Sequence, residues 1–187
     1  MRKLQAYIYV IVGVALALAY AFVNIFNDFK KYKNAADATL GQIKVSMKKR
    51  FDLIEQLLGA VKGYVKHERE LFESIAKLRA GIDSNSAGSL GDLETQSRTL
   101  TGSLLAVAEA YPDLKASEGV QNLMETIVEL EDEIARHRYT YNNIVQEYNT
   151  MQDTIPSSLI AGTAGATKIG YLEFEEKIES PPDISVN

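Results

Sequence analysis

Residues 43–80 read IKVSMKKRFDLIEQLLGAVKGYVKHERELFESIAKLRA. Ile43, Met47, Phe51, Ile54, Leu58, Val61 and Val65 recur at steps of three and four, which gathers apolar side chains on one stripe of a long amphipathic helix. Between them stand Lys44, Lys48, Lys49, Arg50, Lys62, Lys66 and Arg69, whose aliphatic stems can cover apolar surface while their charges stay in water. No other segment is so basic, and the partners of this helix must supply both the apolar and the acidic complement.

Upstream, residues 4–26 read LQAYIYVIVGVALALAYAFVNIF, 23 residues without a charge. At about 1.5 Å per residue such a helix spans roughly 34 Å, enough for the hydrocarbon core of a bilayer. A cleaved signal peptide is the competing reading, because Ala19-Tyr20-Ala21 follows a basic start. The apolar run continues past that point through Phe22, Val23, Ile25 and Phe26, which favours a retained transmembrane helix. Lys30, Lys31 and Lys33 follow at headgroup level and nearly balance Arg2 and Lys3 across the membrane, so the charges lean only slightly to an extracytoplasmic soluble region.

No proline occurs before Pro112, so the helix is expected to run on from Asn27, with Gly59 and Gly63 as the places where it could bend. Gly81 and Asp83-Ser84-Asn85-Ser86-Ala87-Gly88 are expected to end it. A second helix follows from about Leu90 to Tyr111, with Leu90, Leu93, Leu100, Leu104 and Val107 on its stripe and Ser97 as the polar member. A third, from about Ser117 to Asp153, carries Val120, Leu123, Ile127, Leu130, Ile134, His137, Tyr141, Ile144, Tyr148 and Met151 in alternating steps of three and four. Pro156 stops it. Beyond lies an extended tail in which Ile169, Tyr171, Leu172 and Phe174 suggest a piece lying on the bundle or on a neighbour, before Pro181-Pro182. The expected organisation is all-α: residues 1–26 as N-terminus and membrane helix, 27–155 as an antiparallel bundle of three to four long helices, and 156–187 as tail. The second helix is shorter than its neighbours, so part of their stripes would be left for a stalk or for other copies of the chain.

The net charge of −5 hides an asymmetry. Residues 27–80 hold twelve Lys/Arg against seven Asp/Glu, and residues 81–155 hold four against thirteen. Complementarity inside one bundle accounts for this, and a basic face for anionic lipid is the alternative. Nucleic acid is disfavoured, since the chain is acidic overall and lacks the aromatic-basic interleaving of the usual modules. With no cysteine there are no disulfides and no thiolate chemistry.

Three blocks resemble the LemA family. They are RFDLIEQLLGAVKGYVKHERELFESIAKLRA at residues 50–80, YPDLKAS at 111–117, and ELEDEIARHRYTYNNIVQEYNTMQDTIPSSLIA at 129–161. The resemblance implies a single-pass membrane protein with a long-helix bundle, and it implies no particular reaction. Where that family has a proline in its DLIPNLV block this chain has Glu55, and where it has an asparagine after the later proline this chain has Ser158.

The chemistry-bearing residues point the same way. His67 and His137, the only histidines, lie on different helices, and Tyr64 and Ile134 stand where a di-iron bundle would need glutamates. No phosphate-binding glycine loop, zinc-binding H-E-x-x-H or nucleophile elbow occurs, and no catalytic residue, metal or cofactor is expected. Tyr141-Asn142 and Tyr148-Asn149 repeat seven residues apart, one turn beyond Arg138. Arg50, Asp52, Arg138, Asn142 and Asn149 are therefore expected to form a structural polar layer, with a small-ligand site as the rival. Two functions remain in view: a non-enzymatic, self-associating, membrane-anchored scaffold that organises membrane or envelope partners, and a membrane-anchored sensor with a pocket near Tyr141 and His137.

Overall fold

The structure, a computed structural model, describes residues 2–64, 68–84 and 87–172. Its regular elements are all helical: α1 (Arg2–Val61), a 3-10 turn at Lys62–Tyr64, α2 (Glu68–Ser84), α3 (Ala87–Ala110), α4 (Pro112–Lys115), α5 (Glu118–Asp153) and α6 (Ser158–Ala164), with no strand among the described residues. The proline-free reading of the first sixty residues holds, and α1 gives way to the 3-10 turn at Gly63, one of the two expected places. Val65 and His67 lie outside the described residues, as do Phe174 and the Pro181-Pro182 end.

The loop expected from Gly81 to Gly88 is shorter than its composition suggested. Helix α2 runs through Gly81 to Ser84, because Ile75, Leu78 and Ile82 carry its buried stripe past the glycine. Only Asn85 and Ser86 separate α2 from α3, and both lie outside the described residues. The tail also differs, since residues 158–164 form a helix before the chain becomes extended.

The described residues divide into two compact units, residues 2–43 with 135–171, and residues 44–134 with Leu172. In the second unit the end of α1, then α2, α3 and the start of α5 form an up-down-up-down bundle. Its register is read from side chains. Asp52 on α1 pairs with Arg79 on α2, and Ser46 donates to Glu133 on α5 at 2.9 Å. Arg50 meets Glu94 on α3, while just beyond the C-terminal ends of the same two helices the rings of Tyr64 and Tyr111 lie 4.7 Å apart, so α1 and α3 run parallel. Phe51, Ile54, Leu57, Leu58 and Val61 are wholly buried at the centre. Within this unit the α1 stripe is covered by the chain itself, because α2 is a separate helix that folds back on it.

In the first unit α1 and the second half of α5 run antiparallel around Phe29 and Tyr148, whose rings meet edge to face at 5.8 Å. Ala164 of α6 completes this cluster, with Ile25, Phe26, Met151 and Ile169 packed against it. The α5–α6 corner contains a cis Ile155–Pro156 peptide. Helix α6 ends at Gly165, whose φ of 66° is left-handed, while Ala166 N–H closes the turn on the Ala161 carbonyl at 2.9 Å. Residues 165–171 then run extended along α5.

Candidate functional site

Arg50 is the largest fully buried side chain among the described residues, at 0 % exposure. It stands three residues after Met47 and four before Ile54, on the inward side of α1, so the helix period alone forces a guanidinium into the core. Burying an isolated charge is prohibitive, and the neighbouring helices supply its counter-charges. Glu94 on α3, 3 % exposed, accepts from Nη1 at 3.0 Å and Nη2 at 2.6 Å, a two-pronged pair. Glu131 on α5 accepts from Nη1 at 2.9 Å and is approached on its other oxygen by Arg98 at 3.5 Å. Two arginines and two glutamates make a neutral layer across three helices.

Burial pulls the Arg50 guanidinium towards neutrality, but the bond and charge of Glu94, then those of Glu131, outweigh it and hold it above its ordinary range. The Glu131 carboxyl is pushed up by burial, with Arg50 opposing and Glu94 adding to the rise. Arg50 Nε and Ser97 Oγ, both buried, find no partner among the described residues. Each such orphan costs about 1–3 kcal/mol.

The single polar layer expected from Arg50, Asp52, Arg138, Asn142 and Asn149 is divided among separate partners. Arg50 takes Glu94 and Glu131. Asp52, half-exposed, points to α2 and Arg79. Arg138 and Asn142 lie half-buried on the part of α5 that belongs to the first unit, each engaged in polar contacts. Asn149 clamps the extended segment: its Nδ2 donates to the Ile169 carbonyl at 2.9 Å, and its Oδ1 accepts from the Ile169 N–H at 3.0 Å. Tyr141 adds a hydrogen bond to the Gly170 carbonyl at 3.2 Å, and burial followed by the nearby Asp37 charge raises its phenol above the ordinary range. The physical reason for the division is charge: a guanidinium in a dry core needs carboxylates, whereas an extended backbone needs an amide that both donates and accepts.

Of the three lysines placed at headgroup level, all exposed, Lys30 lies along the surface of α6, its Nζ donating to the Ala164 carbonyl at 2.9 Å and lying 5.4 Å from the Phe26 ring centre. His137 is half-buried and engaged. The other unit has a cavity of about 380 Å³ between α3 and α5, lined by Leu105, Glu109, Met124, Glu125, Val128 and Glu129. Among the described residues no three His, Asp or Glu side chains are grouped to hold a metal ion.

The decisive partners, Glu94 and Glu131, escaped the sequence reading. The signal was present: Leu90, Glu94, Ser97, Thr101, Leu104 and Ala108 alternate in steps of four and three, and this is the stripe α3 buries. Leu93, Leu100 and Val107, expected on that stripe, are only half-buried beside it.

Before residue 24 the apolar part of α1 is exposed among the described residues, and it is long and apolar enough to cross a membrane. The architecture defines a class, the helical bundle carrying one N-terminal helix able to span a bilayer. The family model of the LemA family matches residues 39–186, and the chain belongs to that family. Relatives include the magnetosome protein MamQ 2 of Paramagnetospirillum magneticum, 23 % identical over 179 residues, and Protein LemA of Metamycoplasma hominis, 24 % identical over 159 residues. The first comparison covers 81 % of this chain and 65 % of the relative, and the second 84 % and 73 %. MamQ of Magnetospirillum gryphiswaldense is 22 % identical over 184 residues, covering 84 % of this chain and 64 % of the relative. The chain thus spans less than two thirds of the length of these MamQ relatives.

Proposed function

We propose that the protein is a non-enzymatic scaffold, anchored by a single pass of α1, that self-associates and organises membrane or envelope partners. The carrying observation is one helix with two kinds of surface. From Leu4 to Val23 its apolar side chains face outward, and from Phe29 to Val61 its apolar stripe is buried. Bare apolar area on that scale is stable only in lipid or against another such helix. The buried polar residues support a non-catalytic role, because Arg50, Glu94 and Glu131 are consumed by one another and Asn149 by the Ile169 peptide. The relatives' names support it too, as two name a cellular body, the magnetosome, and none names a reaction.

With the amphipathic stripes satisfied inside the chain, self-association falls to the span. Gly13, Ala17 and Ala21 recur every four residues there, and nothing packs near Gly13, a surface that lets a second helix approach closely. Light scattering of the intact chain in mild detergent tests this against Gly13→Ile. A discrete multimer that loses mass with Gly13→Ile is expected. A monomer in both would undo self-association while leaving the anchor.

The sensor reading keeps one favourable observation, the cavity between α3 and α5. Its apolar lining of Leu105, Met124 and Val128 beside Glu109, Glu125 and Glu129 suits a cationic amphipathic ligand. Calorimetric titration with such a peptide, repeated on Val128→Arg, separates this reading from the scaffold.

A further inference from the structure

We propose that the α5–α6 corner is a second membrane contact, in which Ile155 and Leu159 insert into the lipid interface beside the span. This rests on the reading of α1 as an anchor. In this unit α1 and α5 are antiparallel, with Phe29 opposite Tyr148. One residue forward on α5 matches one back on α1, so Asp153, five beyond Tyr148, is level with Asn24. The corner therefore stands beside the last turn of the charge-free run.

Ile155 and Leu159 are 82 % and 77 % exposed, more than any other large apolar side chain among the described residues, and more than Tyr9 within the span at 75 %. Water would disfavour such a pair at the tip of a turn. The corner's polar groups are satisfied from within, as an element at low water activity requires. Thr154 Oγ1 donates to the Thr150 carbonyl at 3.0 Å, Ser157 Oγ to the Thr154 carbonyl at 2.9 Å, and Ser158 N–H to the Thr154 carbonyl at 2.7 Å. Asp153 is neutralised by Lys168 at 2.9 Å, and Lys30 occupies the last carbonyl of α6. The contact is thus an apolar tip with paired charges directly above it, the pattern of an interfacial anchor. Lipid is favoured over a second copy because the corner is continuous with, and level with, a surface that already requires lipid.

The chain has no cysteine, so single cysteines can report position. Ile155→Cys and Leu159→Cys, each labelled with NBD in the full chain, are placed in vesicles of phosphatidylcholine and phosphatidylglycerol carrying a nitroxide either at the headgroup or deep in the acyl chain. Val14→Cys reports the span, and Val128→Cys the other unit. The expected result is loss of emission at 155 and 159 chiefly from the headgroup nitroxide, at 14 from the deep one, and at 128 from neither. Unquenched labels at 155 and 159 with a quenched label at 14 would overturn the second contact and leave the anchor standing. If those unquenched labels were also blue-shifted, a second copy would be the occupant. An unquenched label at 14 would overturn the anchor and the corner together.

Discussion

The two units solve the same problem, a polar group in a packed interior, with opposite chemistry. In the bundle unit the layer around Arg50 joins helices to helices. Their backbones are already satisfied, so polar matching is left to side chains, and full charges face one another. In the unit that carries the candidate span, Asn149 joins a helix to an extended segment whose own peptide groups need partners, and a neutral amide meets both. A charge layer depends on every member being present, because the loss of one strands another. An amide clamp fails more gently, since water can reach a released strap.

Breaking the charge layer should therefore have the largest effect. Glu94→Ala leaves Arg50 with only the half-buried Glu131 and should cost about 3–5 kcal/mol, read from urea unfolding of the intact chain in mild detergent by circular dichroism. A loss near that of an exposed pair, about 0.5 kcal/mol, would mean that Arg50 escapes to solvent. Asn149→Leu comes next. Two peptide groups at Ile169 lose their partner, and about 2–3 kcal/mol should go, with faster proteolysis near residues 165–171 as the local sign.

Smaller still is a pH effect at Glu131. Its folded carboxyl is held above the ordinary 4.5, so the folded state keeps the proton to higher pH than the unfolded chain. Its contribution to stability is full below that ordinary value and declines as pH rises through the raised one. Unfolding titrations of wild type and Glu131→Gln across that window should show the variant gaining on the wild type as pH rises, and a constant difference would contradict the assignment. The smallest net change is expected from the pair Arg50→Met with Glu94→Met. Removing both charges also removes the orphaned Nε, and stability should stay within about 1 kcal/mol of wild type or exceed it. If the double variant matched Glu94→Ala, the layer would be stabilising in its own right rather than merely costly to break.

Much of the architecture was legible because helices advertise themselves by period. Leu90–Tyr111 and Ser117–Asp153 lie within a few residues of α3 and α5, and the uncharged run fixed the candidate span. The site was less legible because a buried charge looks like a surface charge in sequence. Arg50 sits in a basic run, and Glu131 among Glu129, Asp132 and Glu133, where solvation is the default reading. What separates them is phase: residues 43, 47, 50, 54, 57 and 61 repeat by four and three as regularly as the stripe first read through Phe51. Asn149 was expected in a layer of side chains, but its partner is a backbone 20 residues on, and no periodicity encodes that.

The charge layer also imposes an order on the growing chain. Arg50 leaves the ribosome 44 residues before Glu94 and 81 before Glu131. Until Glu94 has been synthesised, the hairpin of α1 and α2 holds an uncompensated cation on its inner face and must stay hydrated there. Premature collapse of the amino-terminal half is disfavoured by the same group that later sits at the centre, and the core can close around it once α3 arrives.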